Sequence, residues 1–210
     1  MKNPILLVLI LALMTTAHAQ NNTDHLPKCY LHLAGGPSSR NGATYEYGGT
    51  AIFKNKWMAS ISYQSIDMTP KNLPQDYKQG YTVIIILPIP DAMPSATLKS
   101  VNFTVGKYLS LGRKTWITAE GGLSVVNGRT YTFTPQQVEY DFVHVSSNYA
   151  AHSDTQTGAG GIIKADFNWA FIPYLGLGVG MFANVNSIQS SVGLQFKVIA
   201  GWMNSKKGTR

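Results

Sequence analysis

An all-β fold is predicted, an up-and-down antiparallel transmembrane β-barrel of about eight strands, with ten possible. Three observations predict it. Apolar and polar residues alternate every second position in about eight stretches; the connections between those stretches alternate between tight turns and loops of very different length; and no sustained helical periodicity occurs.

The first segment to account for lies ahead of the strands. Lys2 forms a basic start, Ile5 to Met14 an apolar run, and Ala17-His18-Ala19 a small-x-small site, which together predict a secretory signal peptide over 1–19, cut after Ala19. That run is too short for a membrane helix, which takes roughly 20 residues, and no later segment reaches that length. The rest, 20–210, reads as one outer-membrane barrel domain, with no Pro/Ser-rich linker or charge block dividing it. Cys29 is the only cysteine, which excludes an internal disulfide framework and a cysteine metal site. Leu26-Pro27-Lys28 before it lacks the small residue that lipidation requires. The net charge of +7 comes from scattered Lys and Arg, which suits an anionic envelope surface; an exported chain has little access to nucleic acid.

The strands are expected near 29–36, 43–54, 56–67, 98–109, 115–126, 158–168, 173–184 and 190–202. The clearest is the third, where Trp57, Ala59, Ile61 and Tyr63 share one face and Met58, Ser60, Ser62 and Gln64 the other. Val101, Phe103 and Val105 oppose Asn102, Thr104 and Gly106; Ile163, Ala165 and Phe167 oppose Lys164, Asp166 and Asn168; Val192, Leu194, Phe196 and Val198 oppose Ser191, Gly193, Gln195 and Lys197. Alternation alone is also compatible with a soluble periplasmic β-protein, whose apolar faces would form a core instead of meeting lipid.

Connection lengths favour the membrane. The second, fourth and sixth connections are tight (Lys54-Asn55, Gly112 to Lys114, and Trp169 to Ile172), while the others include Thr69 to Thr97 and Asn127 to Thr157. Short turns at one end and variable loops at the other are the pattern of barrels whose turns face the periplasm. Trp57, Trp116, Trp169 and Trp202 then all fall at the turn-side rim, where indole rings sit well between lipid and water. Two segments would give ten strands if accepted: Tyr81 to Pro90, and Arg129 to Thr134 after a type I′ turn at Asn127-Gly128. Both are read here as hairpins beyond the membrane.

Charged residues expected on the lumen face are Glu46, Glu120, Lys164, Asp166 and Lys197. An eight-stranded barrel is just wide enough to be filled by side chains, so these should pair with one another; a wider barrel would make them a polar conduit. Gly176, Gly178 and Gly180 should make room on the lumen side of the seventh strand. No metal-ligand spacing appears around His25 or His32, and neither a metal nor a cofactor is expected. His144 and Ser146 would share a strand face, as a base and a nucleophile must. Their spacing resembles the His-x-Ser element of outer-membrane lipid A deacylases, with Asp141 or Asp154 as the acid that resemblance requires. A polar surface loop is the simpler reading, and the chain is read as no enzyme.

The last expected strand carries a further resemblance. Ser191, Gly193, Phe196 and Val198 fill the places of the C-terminal signal that the barrel assembly machinery recognises, although Val198 stands where an aromatic is commoner and the chain runs on to Arg210. The chain after the signal peptide resembles the small outer-membrane β-barrel proteins, OmpA/OmpX-like, OmpW-like or the porin-like barrel domains of Bacteroidota. That resemblance implies assembly by that machinery, contact with outer-membrane lipid and lipopolysaccharide, and an extracellular ligand of unknown kind. The function expected is a non-enzymatic barrel whose long external loops serve surface interaction or envelope structure, with a narrow channel for small or hydrophobic solutes as the alternative. Tyr131, Phe133, Tyr140, Phe142 and Tyr149 enrich the second long loop in aromatics, either for recognition or for packing the loop upon itself.

Overall fold

The computed structural model describes residues 28–53, 56–84, 87–111, 114–141 and 143–202, without the side chains of Lys28, Ile84, Leu87 and Trp202. The signal segment lies outside them. Eleven strands follow in order: β1 (Lys28–Ser38), β2 (Gly42–Ile52), β3 (Trp57–Met68), β4 (Tyr81–Ile84), β5 (Leu87–Pro90), β6 (Ala96–Ser110), β7 (Thr115–Pro135), β8 (His144–Val145), β9 (Tyr149–Ile172), β10 (Leu175–Asn186) and β11 (Ser191–Trp202). Eight of them close an antiparallel barrel in the order β1-β11-β10-β9-β7-β6-β3-β2, and the seam pairs Leu33 with Val198 and Gly35 with Phe196. The other three form a separate sheet, β5-β4-β8.

The pleat decides what faces where. Around the barrel one register row reads Leu33, Tyr47, Tyr63, Val101 and Val125, all pointing outward. The intervening residues, such as Glu46, Gln64, Asn102 and Lys164, point inward and are buried. Phe196 is 70% exposed while Gln195 beside it is 2% exposed. A soluble protein cannot be stable with this arrangement, because its largest apolar side chains would stand in water around a polar interior. Lipid against the outer wall removes the conflict, so the alternation is that of a membrane-spanning barrel and not of a soluble sandwich. On β6 the outward run between Lys99 and Lys107 is apolar. Its eight residue steps cover about 27 Å along the strand at ~3.4 Å each. A strand tilt of about 40° reduces that to a height of roughly 20 Å, close to the apolar band such barrels present.

The ten-strand alternative does not hold, and Asn127-Gly128 is not a turn. Asn127 pairs with Lys99 on one side and Thr157 on the other, and β7 continues unbroken to Pro135 against β9. Gly128 leaves room for two side chains: a Cβ there would lie 2.7 Å from Leu98 Cδ2 and 2.9 Å from Ile188 Cγ2, and both would have to shift. Beyond Arg129, where pairing with β6 ends, β7 and β9 form a two-stranded ribbon rising past the barrel mouth. Tyr81 to Pro90 does form a hairpin outside the barrel, the β4-β5 pair. The sixth connection is Pro173-Tyr174, and Trp169 to Ile172 belong to β9. At the opposite end, Arg40 and Asn41 turn the chain from β1 to β2 with φ of 59° and 52°; positive φ at two successive residues matches the right-handed twist of a hairpin.

Candidate functional site

The interior is stacked in layers. At the turn end Tyr30, Ile52, Met58, Trp116, Ala170 and Ile199 form an apolar plug, against which Tyr108 packs. At the loop end Ile66, Met68, Ala96, Leu98, Val126 and Phe182 form a second, with Ile188 against it. Between them lies the polar layer.

Glu46 is its centre. It accepts hydrogen bonds from Lys164 Nζ at 2.5 Å, His32 Nε2 at 3.0 Å and Gln195 Nε2 at 3.2 Å, so strands far apart in sequence meet on one carboxylate. Lys164 also donates to Ser62 Oγ at 2.9 Å. From Ser62 a chain of bonds crosses the lumen: Asn102 Nδ2 donates to Ser62, Ser124 Oγ to Asn102 Oδ1 and Asn184 Nδ2 to Ser124. A second ion pair joins Lys197 Nζ to Asp166 Oδ2 at 2.7 Å, and Thr118 donates to the same oxygen. Glu120 accepts from Thr104 Oγ1 at 2.6 Å. Cβ atoms at Gly178 and Gly180 would run into the side chains of Asn168 and Asp166, so these two glycines give the polar side chains of β9 their room. Pairing and hydrogen bonding offset the cost of burying charge in Lys164–Glu46 and Lys197–Asp166, whereas Glu120 has the Thr104 hydrogen bond and no described ion pair, so the expected mutual pairing extends to four of the five residues.

All five charged residues singled out in the sequence are therefore in the lumen, and four of them form the two lysine-carboxylate pairs. His32 was not among them. Its place on the lumen parity of β1, between Tyr30 and Ala34, was the signal that could have found it. Trp116 requires a correction. It lies at the turn end but points inward, 3% exposed, between Tyr30 and Tyr108, with ring centroids 6.3 and 6.1 Å away. Its parity is that of Glu120, four residues on, so the same alternation that places Glu120 inside places Trp116 inside. Trp57 and Trp169 do face outward, Trp57 under Lys107 Nζ at 3.7 Å and Trp169 edge-on to Phe171. The backbone of Trp202 pairs with Cys29 at the same rim. In β11, Ser191 is buried in the lumen while Phe196 and Val198 face outward.

Outside the barrel, the two long loops are one structure. Val83 N–H donates to Val143 O at 2.7 Å, and β4 pairs with β8 through Tyr81-Val145 and Thr82-His144. Asn148 clasps the first loop from both sides: its Oδ1 accepts from Lys78 N at 2.6 Å and its Nδ2 donates to Asp76 O at 2.8 Å. Tyr149 O–H donates to the Asp76 carboxylate, and this bond to a carboxylate raises the Tyr149 pKa above its usual value. Tyr77, from the first loop, lies 5.8 Å from Phe133 and 6.4 Å from Tyr149, and Tyr131 stacks on Phe133. Of the aromatics in the second loop, Tyr131, Phe133 and Tyr149 thus pack within this platform, whereas Tyr140 is 79% exposed. Phe142 lies outside the described residues.

His144 and Ser146 are committed to different partners in the platform. His144 Nε2 lies 3.2 Å from Asp91 Oδ2, a carboxylate of the first loop, and Ser146 Oγ accepts from Glu139 N at 2.9 Å. Among the described residues no group of three or more His, Cys, Asp or Glu side chains is placed to hold a metal.

A closed barrel with a polar interior and an apolar outer belt defines the class: a small transmembrane β-barrel of the outer-membrane type. No family model and no curated protein matches the chain. Among solved structures it is similar to Ail, the attachment invasion locus protein of Yersinia pestis, in complex with the heparin analogue sucrose octasulfate, at 8% identity and a TM-score of 0.46, over 84% of this chain and 97% of that one. It is also similar to the N-terminal β-barrel domain of Pseudomonas aeruginosa OprF, at 10% identity and a TM-score of 0.47, over 83% and 97%. A third is Ail in a phospholipid bilayer nanodisc, at 11% and 0.42, over 84% and 99%. The assignment of class rests on the inside-out arrangement itself.

Proposed function

We propose that the protein is exported, freed of its signal peptide after Ala19, and assembled into the outer membrane as a non-catalytic barrel that presents a rigid external platform. The observation that carries this reading is the joining of two loops, distant in sequence, into one hydrogen-bonded unit above a filled barrel. Gln64, Asn102, Thr118 and Val126 in the lumen have essentially no surface a water molecule can reach, so they line no water-filled passage. Chemistry at the platform is limited in the same way, since His144 and Ser146 are held by separate partners. What is left exposed and ordered is the outer surface of the β4-β5-β8 sheet and the β7-β9 ribbon, which suits contact with a surface ligand or with neighbouring envelope components. Ser191, Gly193, Phe196 and Val198 are the residues through which the barrel assembly machinery would engage β11, and lipopolysaccharide is the lipid expected around the loop-side rim.

Envelope fractionation followed by electrophoresis with and without boiling tests the location. Recovery in the outer membrane with a heat-dependent mobility shift is the expected result; release by osmotic shock with no shift would sink the reading. Replacing Tyr140 by Ala should then weaken surface binding without changing that shift, and unchanged binding would remove Tyr140 from the contact.

A further inference from the structure

Charge is distributed very unevenly along the barrel axis. Of the nine acidic residues among those described, Glu46, Glu120 and Asp166 are buried in the lumen, and the other six, from Asp67 to Asp154, stand at the loop end. There they are matched by five cations, from Arg40 to Arg129, so the loop end is close to neutral. The turn end is different. Lys56, Lys107 and Lys114 are exposed at that rim, and Lys28 begins β1 beside them, with no described carboxylate on that side.

The cations are also at the right height for a particular partner. Lys107 stands on the outward face of β6 between Val105 and Leu109, near the turn end, and its ammonium lies over the ring of Trp57, the half-exposed first residue of β3. An indole at the edge of the apolar belt marks the level at which lipid headgroups begin. A lysine stacked on it is held at headgroup level while its stem lies along apolar surface. β3 and β6 are neighbours, so the turns ending in Lys56 and Lys114 lie side by side on the rim. None of the three ammonium groups makes a described ion pair, so their charge is available to an anion outside the protein.

The geometry points to a phosphate-binding collar at the turn end that takes the headgroups of anionic phospholipid in the adjoining leaflet. The inference rests on the reading of the chain as an inserted barrel and adds the lipid class and the leaflet. Phospholipid satisfies the site in both respects: its phosphates carry the charge the lysines lack, and its acyl chains cover the apolar wall directly beyond Trp57. Cations close to an anionic membrane surface each contribute measurably to attraction, and the effect weakens with salt.

The test uses the whole protein folded into vesicles of mixed phosphatidylglycerol and phosphatidylethanolamine, then gently extracted, with the retained lipids counted by native mass spectrometry. Phosphatidylglycerol should be enriched over its share in the vesicles at low salt, and the enrichment should fall at least about threefold in the K56Q/K107Q/K114Q variant. The K99Q/R129Q variant, which removes two cations from the loop end, should keep it. Retention in the bulk proportion, or an equal loss in both variants, would overturn the collar. The heat-dependent mobility shift is read on every sample: a wild-type chain that shows none has failed as an inserted barrel, whereas an inserted chain with no lipid preference refutes the collar alone.

Discussion

Removing the charge of Glu46 is the most informative perturbation of the lumen. In Glu46→Gln the packing is nearly unchanged, but Lys164 loses its only described carboxylate and keeps Ser62 Oγ at 2.9 Å. Its side chain is 3% exposed, so water cannot replace the lost partner. An ammonium left in that condition costs about 3–5 kcal/mol, and the weakened bonds to His32 and Gln195 add to it. If the pair as such is not what stabilises the barrel, the double variant Glu46→Gln/Lys164→Met should recover most of that loss, because it buries no unpaired charge. The measurement is reversible urea unfolding in lipid vesicles, followed by tryptophan fluorescence and by the electrophoretic shift. A loss under about 1 kcal/mol in the single variant would mean that Lys164 is solvated and the lumen wetter than described. A double variant no more stable than the single one would refute the reasoning from unpaired charge.

Other outcomes follow from the same geometry. Gly180→Ala should destabilise by about 1–3 kcal/mol in the same urea assay, because its Cβ displaces the Asp166 carboxylate that Lys197 holds, while Gly161→Ala, whose nearest obstacle is 3.7 Å away on the lipid side, should be tolerated. Asn148→Ala should leave the mobility shift intact but raise proteolytic cutting within 136–148, since it removes both side-chain ties to the first loop. Tyr149 holds its proton more tightly in the folded platform than at its usual value of 10.0, so its tie to Asp76 should be complete below that pH and lost as pH rises through the raised value. Absorbance titration of wild type against Tyr149→Phe should show one tyrosine ionising late, and its absence would remove the bond. In planar bilayers no discrete conductance steps are expected, and regular steps would show that the lumen plugs open.

The period-two pattern made the eight barrel strands legible in the sequence, because a sheet with one lipid face and one lumen face must alternate. It also placed Glu46, Glu120, Lys164, Asp166 and Lys197 on one side, and applied consistently it would have placed His32 and Trp116 there too. Turn residues were less faithful. Asn-Gly has a local preference for a hairpin, but at Asn127-Gly128 pairing on both edges and the packing of Leu98 and Ile188 outweigh it.

The tertiary structure alone decided three things: which lysine meets which carboxylate, that the ends of the lumen are plugged, and that the two long loops are a single platform. Alternation is a local property of one strand and fixes the face of each side chain. Partners across the lumen, such as Glu46 and Lys164, are 118 positions apart in sequence and depend on the closure and stagger of the whole barrel. The tie of Asn148 to Lys78 likewise exists only once the barrel has brought the two loops to the same mouth.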